Sequence, residues 1–118
     1  MGLSDWPPPR RGDIWWADLH DSWGPRPVVL IARDEAYRYL TWVMVIPTTS
    51  RIRTIPTALI LDPETDSVPK PCTLLVDHVQ SIRQEWLLEP IGSLSSERMR
   101  EVDLALHRAL GIEVCPPT

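Results

Sequence analysis

The side chains best suited to chemistry in this chain are arginines. Between residues 26 and 53 every positive charge is an Arg (Arg26, Arg33, Arg38, Arg51 and Arg53), opposed only by Asp34 and Glu35. A guanidinium presents a planar fork of donors that meets phosphate oxygens two at a time, which a lysine cannot do. Arg51 and Arg53 alternate in a polar S-R-I-R stretch. Alternate residues of an extended segment share a face, so both can track one phosphate backbone. Trp23, in the loop H-D-S-W-G-P, offers a surface on which a base can stack. His20, His78 and His107 can carry protons near neutral pH, but their spacing makes no metal-ligand set. Cys72 and Cys115 are far apart and form no CxxC. These residue types suit the gripping of phosphate and imply no metal or cofactor.

The scaffold that must position them is small. The chain has 118 residues, 43% hydrophobic and 24% charged, with a net charge of −4. That length fits one domain with its own core and no need of disulfides or metal. Six Trp and many Val, Ile and Leu exclude general disorder. The longest apolar runs, Val28 to Ala32 and Trp42 to Ile46, are far short of the ~20 residues a membrane helix needs. No apolar stretch precedes the prolines of MGLSDWPPPRR, so no export signal is read and a cytoplasmic location with reduced thiols is expected. The ends, 1–9 and 113–118, are Pro-rich and expected to be flexible tails around a domain at 10–112. Residues 54–118 carry ten acidic against five basic groups, so the positive block at 26–53 stands out from an acidic remainder.

Hydrophobic patterning predicts strands at Asp13–Leu19, Val28–Ala32, Thr41–Thr48 (ended by Pro47), Thr57–Leu61, Cys72–Val79 and Leu88–Gly92. Asp34–Leu40 reads as one helical turn capped by Asp34, and Ile82–Leu87 as a short helix. Asp62–Pro71 reads as a loop, and Gly12 with Asp13 as a turn that starts the first strand. The clearest helix follows Ser95. Ser95 suits the N-cap, Leu94 and Met99 have hydrophobic-staple spacing, and Gly111 suits the stop. Met99, Val102, Leu106, Ala109 and Leu110 would form its apolar face. Five or six short strands without a βαβ rhythm predict a mainly β fold. A small bent antiparallel barrel, with the C-terminal helix over an open face, is the natural closure.

Five segments in order carry a resemblance: RRGDIWWADL at 10–19, GPRPVVLIARDEAY at 24–37, VIPTTSRIRTIPT at 45–57, LLVDHVQSIR at 74–83 and IGSLSSERMREVDLALHRALGI at 91–112. Together they resemble the MazF/PemK family of toxins from type II toxin–antitoxin systems. The resemblance implies an SH3-like barrel of five to seven short strands with a C-terminal helix, assembled as a homodimer. It implies a metal-independent endoribonuclease that cuts single-stranded RNA, leaving a 2′,3′-cyclic phosphate and a 5′-hydroxyl. The implied partner is a MazE-like antitoxin, with which such toxins also bind DNA.

The resemblance places the catalytic arginine at Arg26, in Arg26-Pro27-Val28, and the catalytic hydroxyl at Thr49, in Pro47-Thr48-Thr49-Ser50. Ser50, Arg51, Arg53, Trp23, His78 and Gln80 are the expected RNA contacts. Two departures from the family pattern stand out. The loop between the first two strands is short. The family's D-Q-(I/V)-(R/K)-(S/T) segment is here Asp77-His78-Val79-Gln80-Ser81, which puts His78 in place of a Gln and Gln80 in place of a basic residue. His78, and more weakly His20 near Arg26, can trade protons during cleavage.

Two other readings start from the same scaffold. A gyrase-binding toxin of CcdB type shares the fold but depends on a Trp-bearing terminal helix. Here the helix has no Trp and the tail reads EVCPPT. A cleavage-inactive scaffold that only binds its antitoxin is motivated by the short loop and by Gln80.

Overall fold

The computed structural model describes residues 6–113, and patterning at the two apolar runs explains its architecture. Val28, Val29 and Leu30 are all fully buried, as are Val45 and Ile46. Successive strand residues point to opposite faces, so these strands are covered on both sides. One face joins Ile14, Val29 and Ile46 to Val102 and Ala105 of the terminal helix. The other joins Trp15, Val28, Leu30 and Val45 to Ala36 and Tyr37. Each fully buried Val, Leu or Ile contributes about 1.5–3 kcal/mol.

In chain order the elements are β1 (Asp13–Ala17), β2 (Arg26–Leu30), α1 (Ala36–Tyr39), β3 (Trp42–Thr49), β4 (Ala58–Leu61), α2 (Pro63–Asp66), β5 (Cys72–Leu75), β6 (Gln80–Arg83), β7 (Leu87–Ser93) and α3 (Ser96–Leu110). Short 3₁₀ turns cover Val76–His78 and Gln84–Trp86. Every strand pair is antiparallel. The order across the sheet is β4-β5-β3-β2-β1-β7, with β6 also pairing β3. The expected mainly β fold with a terminal helix is therefore the observed one. β3 is its longest strand and its joint. Trp42 to Val45 pair with β6, Val45 to Pro47 with β2, and Thr48 and Thr49 with β5.

The terminal helix follows its sequence signals closely. The Ser95 hydroxyl accepts from the Arg98 N–H. Gly111 adopts φ 70°, its N–H donates to the Arg108 carbonyl, and Ile112 N–H donates to the His107 carbonyl, forming a Schellman motif. Asp66, fully buried, anchors this helix to the β4–α2 connection. Its carboxylate accepts from Arg98 Nε at 3.0 Å, Arg98 Nη2 at 3.1 Å and the Asp62 N–H at 2.8 Å. Burial opposes its ionisation, but these donors outweigh burial and hold its pKa below the ordinary 3.8.

Six local expectations are corrected. Ile82–Leu87 is not a helix; Ile82 lies in β6 and the helical geometry is confined to the 3₁₀ turn Gln84–Trp86, because Ile82 pairs with Val43 and is fully buried. Asp34 does not cap α1; its carboxylate accepts from the Arg11 N–H at 2.7 Å instead. β5 stops at Leu75, where the chain tightens into the Val76–His78 turn. Pro47 does not end β3, since it falls where the strand exchanges β6 for β5. Leu110 is exposed, and Ala105 takes a buried place on the helix face instead. The stretch 62–71 contains the single turn α2, capped by the Asp62 carboxylate. Gly12 does form the expected turn: at φ 92° its N–H donates to Leu30 and its carbonyl accepts from Leu94. Of the expected tails, 1–5 and 114–118, with Cys115, lie outside the described residues. Trp6 packs beside the second core cluster and Pro9 is buried.

Candidate active site

The register of β2 on β3 decides how Arg26 and Thr49 relate. Val28 faces Pro47, Val29 faces Ile46 and Leu30 faces Val45. The ladder ends at that Val28–Pro47 pair, and Arg26 and Thr49 each lie two residues beyond it, at the ends of β2 and β3. Both side chains line one cleft of about 650 Å³. The Thr48 hydroxyl secures the strand ends by donating to the Pro27 carbonyl at 2.7 Å. Residues 23 positions apart in sequence thus line one cleft.

Arg26 is not free in this cleft. Its Nη1 donates to Asp21 Oδ1 at 3.1 Å and its Nη2 donates to Asp21 Oδ2 at 2.7 Å, a bidentate pair. Nη1 also donates to the Gly24 carbonyl at 3.1 Å. Asp21 further accepts from the Trp23 N–H at 3.0 Å, and Gly24 at φ 78° turns the loop back toward β2. The short loop is thus wrapped around the guanidinium. The Arg26 guanidinium beside Asp21 holds its carboxyl below the usual 3.8. Trp23 points outward from this loop, 82% exposed, and lines the cleft.

The opposite wall is the loop after β3. Thr49 Oγ1 accepts from the Arg51 N–H at 3.3 Å, so its hydroxyl proton is available to another acceptor. Ser50, Arg51 and Arg53 all line the cleft, whereas Ile52 between the arginines does not. This is the alternation expected of a shared face. Among the described residues no carboxylate lies within ion-pair distance of Arg51 or Arg53. His78 and Gln80 complete the floor, joined by a 3.1 Å bond from Gln80 Nε2 to the His78 carbonyl. Neighbouring Asp77 accepts from the Thr57 hydroxyl across the loop.

All eight residues expected at the site therefore meet in one cleft. Seven further residues line the cleft beyond those expected at the site: Pro25, Pro47 and Thr48, which flank expected residues, and Trp16, Asp21, Lys70 and Leu75. For Asp21 a signal exists: an acid five residues before Arg26, with Gly24-Pro25 between them to reverse the chain. Lys70 arrives from the Asp62–Pro71 stretch, and nothing local announces it. His20 does not line the cleft. Its ring lies 4.3 Å from that of Trp86 and its Nδ1 is 3.0 Å from the Asp18 carbonyl. His107 Nδ1 is 2.7 Å from the Asp103 carbonyl, a helix-surface contact. Cys72 is buried, and burial pushes its thiol pKa up, consistent with plain core packing.

A strand-built cleft with paired Arg and Thr on an antiparallel sheet defines a class that comparison with known proteins makes specific. The family model for "PemK-like, MazF-like toxin of type II toxin-antitoxin system" matches residues 10–110, and the chain belongs to this family. Over 102 residues it is 34% identical to the "Probable endoribonuclease MazF5" of Mycobacterium tuberculosis, covering 86% of this chain and 93% of that protein. Among solved structures, the M. tuberculosis toxin MazF-mt6 superposes with a TM-score of 0.77 at 25% identity, over 86% of this chain and 99% of that one. An endoribonuclease of a mycobacterial species, solved with its cognate antitoxin, superposes with a TM-score of 0.79 over 91% of this chain and 99% of that one. At 24% identity that last likeness speaks to the fold alone.

Proposed function

We propose that this cleft cuts single-stranded RNA by internal transfer, without a metal, as the toxin of its toxin–antitoxin pair. The observation that carries the reading is that Arg26 and Thr49 line one cleft together with Arg51, Arg53 and Lys70. In such cleavage the ribose 2′-oxygen attacks phosphorus and passes its proton to the cleft-lining His78 imidazole. The bond from phosphorus to the 5′-oxygen breaks, and that oxygen takes up a proton from water. The products are a 2′,3′-cyclic phosphate and a 5′-hydroxyl. The protein supplies no nucleophile; it must align the attack and stabilise the dianionic phosphorane.

Arg26 suits the charge. Its fork can meet two nonbridging oxygens, as it now meets the two oxygens of Asp21. Asp21 marks where an anion binds and holds the guanidinium in place; the scissile phosphate takes over at least one of its bonds. Because an arginine stays protonated, its part is charge stabilisation and donation toward the leaving oxygen. Thr49, with its proton unspent, donates to a phosphate oxygen. Arg51, Arg53 and Ser50 track the flanking backbone, Trp23 stacks on a base, and Gln80 and His78 contact the strand from the floor. His78 is also placed to exchange a proton.

The active unit is a homodimer, and a MazE-like antitoxin covers the cleft; the toxin–antitoxin complex also binds DNA. The work is done in the cytoplasm. Exposed Ile52, Ile55, Leu104 and Leu110 supply apolar surface that a partner can cover. Among the described residues no helix is long and apolar enough to cross a membrane. The gyrase-binding reading gives the Arg26 and Thr49 pairing no purpose.

The deciding experiment incubates the protein with a long single-stranded RNA in EDTA and maps the new ends. Cuts with cyclic-phosphate and 5′-hydroxyl ends, about 10²–10³-fold slower in Arg26→Ala and about 10²-fold slower in Thr49→Val, support the reading. Intact RNA, or undiminished cutting by Arg26→Ala, overturns it. Light scattering tests the dimer: a 13.5 kDa particle at micromolar concentration removes it.

A further inference from the structure

One buried polar side chain next to the site is unaccounted for by the mechanism. Thr73 of β5 is completely buried, yet it is neither a cleft-lining residue nor an apolar one. It is the β5 partner of Thr49 in the ladder. Its hydroxyl makes two bonds, both to the loop that follows β3. It donates to the Arg51 carbonyl at 3.0 Å and accepts from the Arg53 N–H at 3.0 Å. That C=O and N–H bracket Ile52, the pair that a neighbouring parallel strand would satisfy. Among the described residues no strand pairs there, and a single hydroxyl, using its one proton and one lone pair, takes its place.

We propose that Thr73 is a positioning residue whose hydroxyl clamps the 51–53 backbone so that Arg51 and Arg53 both face the RNA. The proposal rests on the nucleic-acid reading of the cleft given above. Its physical content is pre-organisation. A free loop would lose backbone freedom on binding RNA, whereas a clamped loop has lost it already. The fixed face also settles which side chains look inward. With the carbonyl of 51 and the N–H of 53 both turned toward β5, Ile52 stays out of the cleft and is 51% exposed, while the flanking arginines line it. Thr49 lies beside the clamp and accepts from the same loop at the Arg51 N–H. One threonine on each strand therefore holds a neighbouring backbone group of this loop.

The clamp predicts a division of effects. Thr73→Val keeps the branched shape that the strand favours and removes only the hydroxyl. Its KM for a single-stranded RNA should rise about 3- to 10-fold with kcat within about twofold, the mark of lost binding made equally in ground and transition states. Thr73→Ser, which keeps the hydroxyl, should restore KM. Binding of an uncleavable 2′-deoxy-substituted oligomer should weaken in step. Its salt dependence should flatten, by up to about 0.7 in the log–log slope for each phosphate that is no longer gripped. In an Arg51→Ala/Arg53→Ala background the Thr73→Val effect on KM should largely vanish, because the clamp then has no arginines to aim.

A general loss of folding would lower kcat or the active fraction and would persist in that background, so it overturns the proposal. So does a Thr73→Val enzyme with an unchanged KM and salt slope. Wild-type protein that neither binds nor cuts RNA overturns the nucleic-acid reading itself and this proposal with it. Wild-type cutting with an indifferent Thr73→Val removes only the clamp.

Discussion

The two walls of the cleft hold their arginines in opposite ways. On the β1–β2 side, Arg26 is tied through two bonds to Asp21 and a third to the Gly24 carbonyl. On the β3–β4 side, Arg51 and Arg53 have their backbones secured by Thr73 while their guanidinium groups have no ion-pair partner among the described residues. One wall fixes the charged head and neutralises it; the other fixes the chain beneath and leaves the charge outstanding. A group that must meet a reacting phosphorus needs close placement, and a bidentate carboxylate provides it. Groups that draw a polyanion in act at longer range and need uncompensated charge more than orientation. Under the proposed function the contrast gives Arg26 a part in the chemistry and Arg51 and Arg53 a part in capture, with Thr49 serving the chemistry from the second wall.

The strongest way to break that division is Arg26→Ala. Cleavage should fall about 10²–10³-fold while RNA affinity changes far less, read by single-turnover rates beside equilibrium binding. A parallel collapse of affinity would mean that Arg26 belongs to capture. A second variant separates site effects from folding effects. Asp66→Asn, outside the cleft, should cost about 2 kcal/mol by weakening the buried Arg98 pair, seen as a lower Tm at neutral pH with cleavage per folded molecule preserved. Because the folded-state pKa of Asp66 is lowered, its contribution is complete above the ordinary carboxylate value. It is lost as pH falls through the folded value, so the Tm gap to wild type should close in acid below pH 3.8. Next in size, Arg51→Ala/Arg53→Ala should raise KM about tenfold at moderate salt and flatten the salt slope by about 1.4, two single-strand phosphate contacts. If kcat fell instead, Arg51 or Arg53 would share in the chemistry. The smallest effect is Trp23→Ala. A solvent-exposed stacking platform should be worth about 1 kcal/mol, roughly fivefold in affinity, at the lower end for base stacking.

Much of this arrangement is legible in the amino-acid sequence, and the reasons differ by element. The terminal helix is legible because its signals are local: Ser95, the Leu94–Met99 spacing and Gly111 each act within a few residues, and only Leu110 is misplaced. Seven of the eight expected residues can be named because they sit in ordered motifs, and Trp23 because it is an aromatic in the short loop between two of them. What brings them into one cleft is the β2–β3 register, a non-local fact. Ile82–Leu87 passes for a helix because a four-residue strand whose inward residue is Ile82 carries too little periodicity to be told from a helical turn. Asp21 and Thr73 stay hidden for a common reason. Neither belongs to a motif, and each acquires its role only through a partner: Arg26 across a turn for the one, a loop 20 residues upstream for the other.

The Thr48 hydroxyl, bonded to the Pro27 carbonyl one step inward from the site, has a mechanical consequence. It rivets the ends of two strands together beneath the residues that flank the reaction. The rivet belongs to neither surrounding loop, so the spacing of the two strand ends does not depend on how either loop is built. A change of sequence in one loop can then reshape its own rim of the cleft and leave the gap beneath at its width.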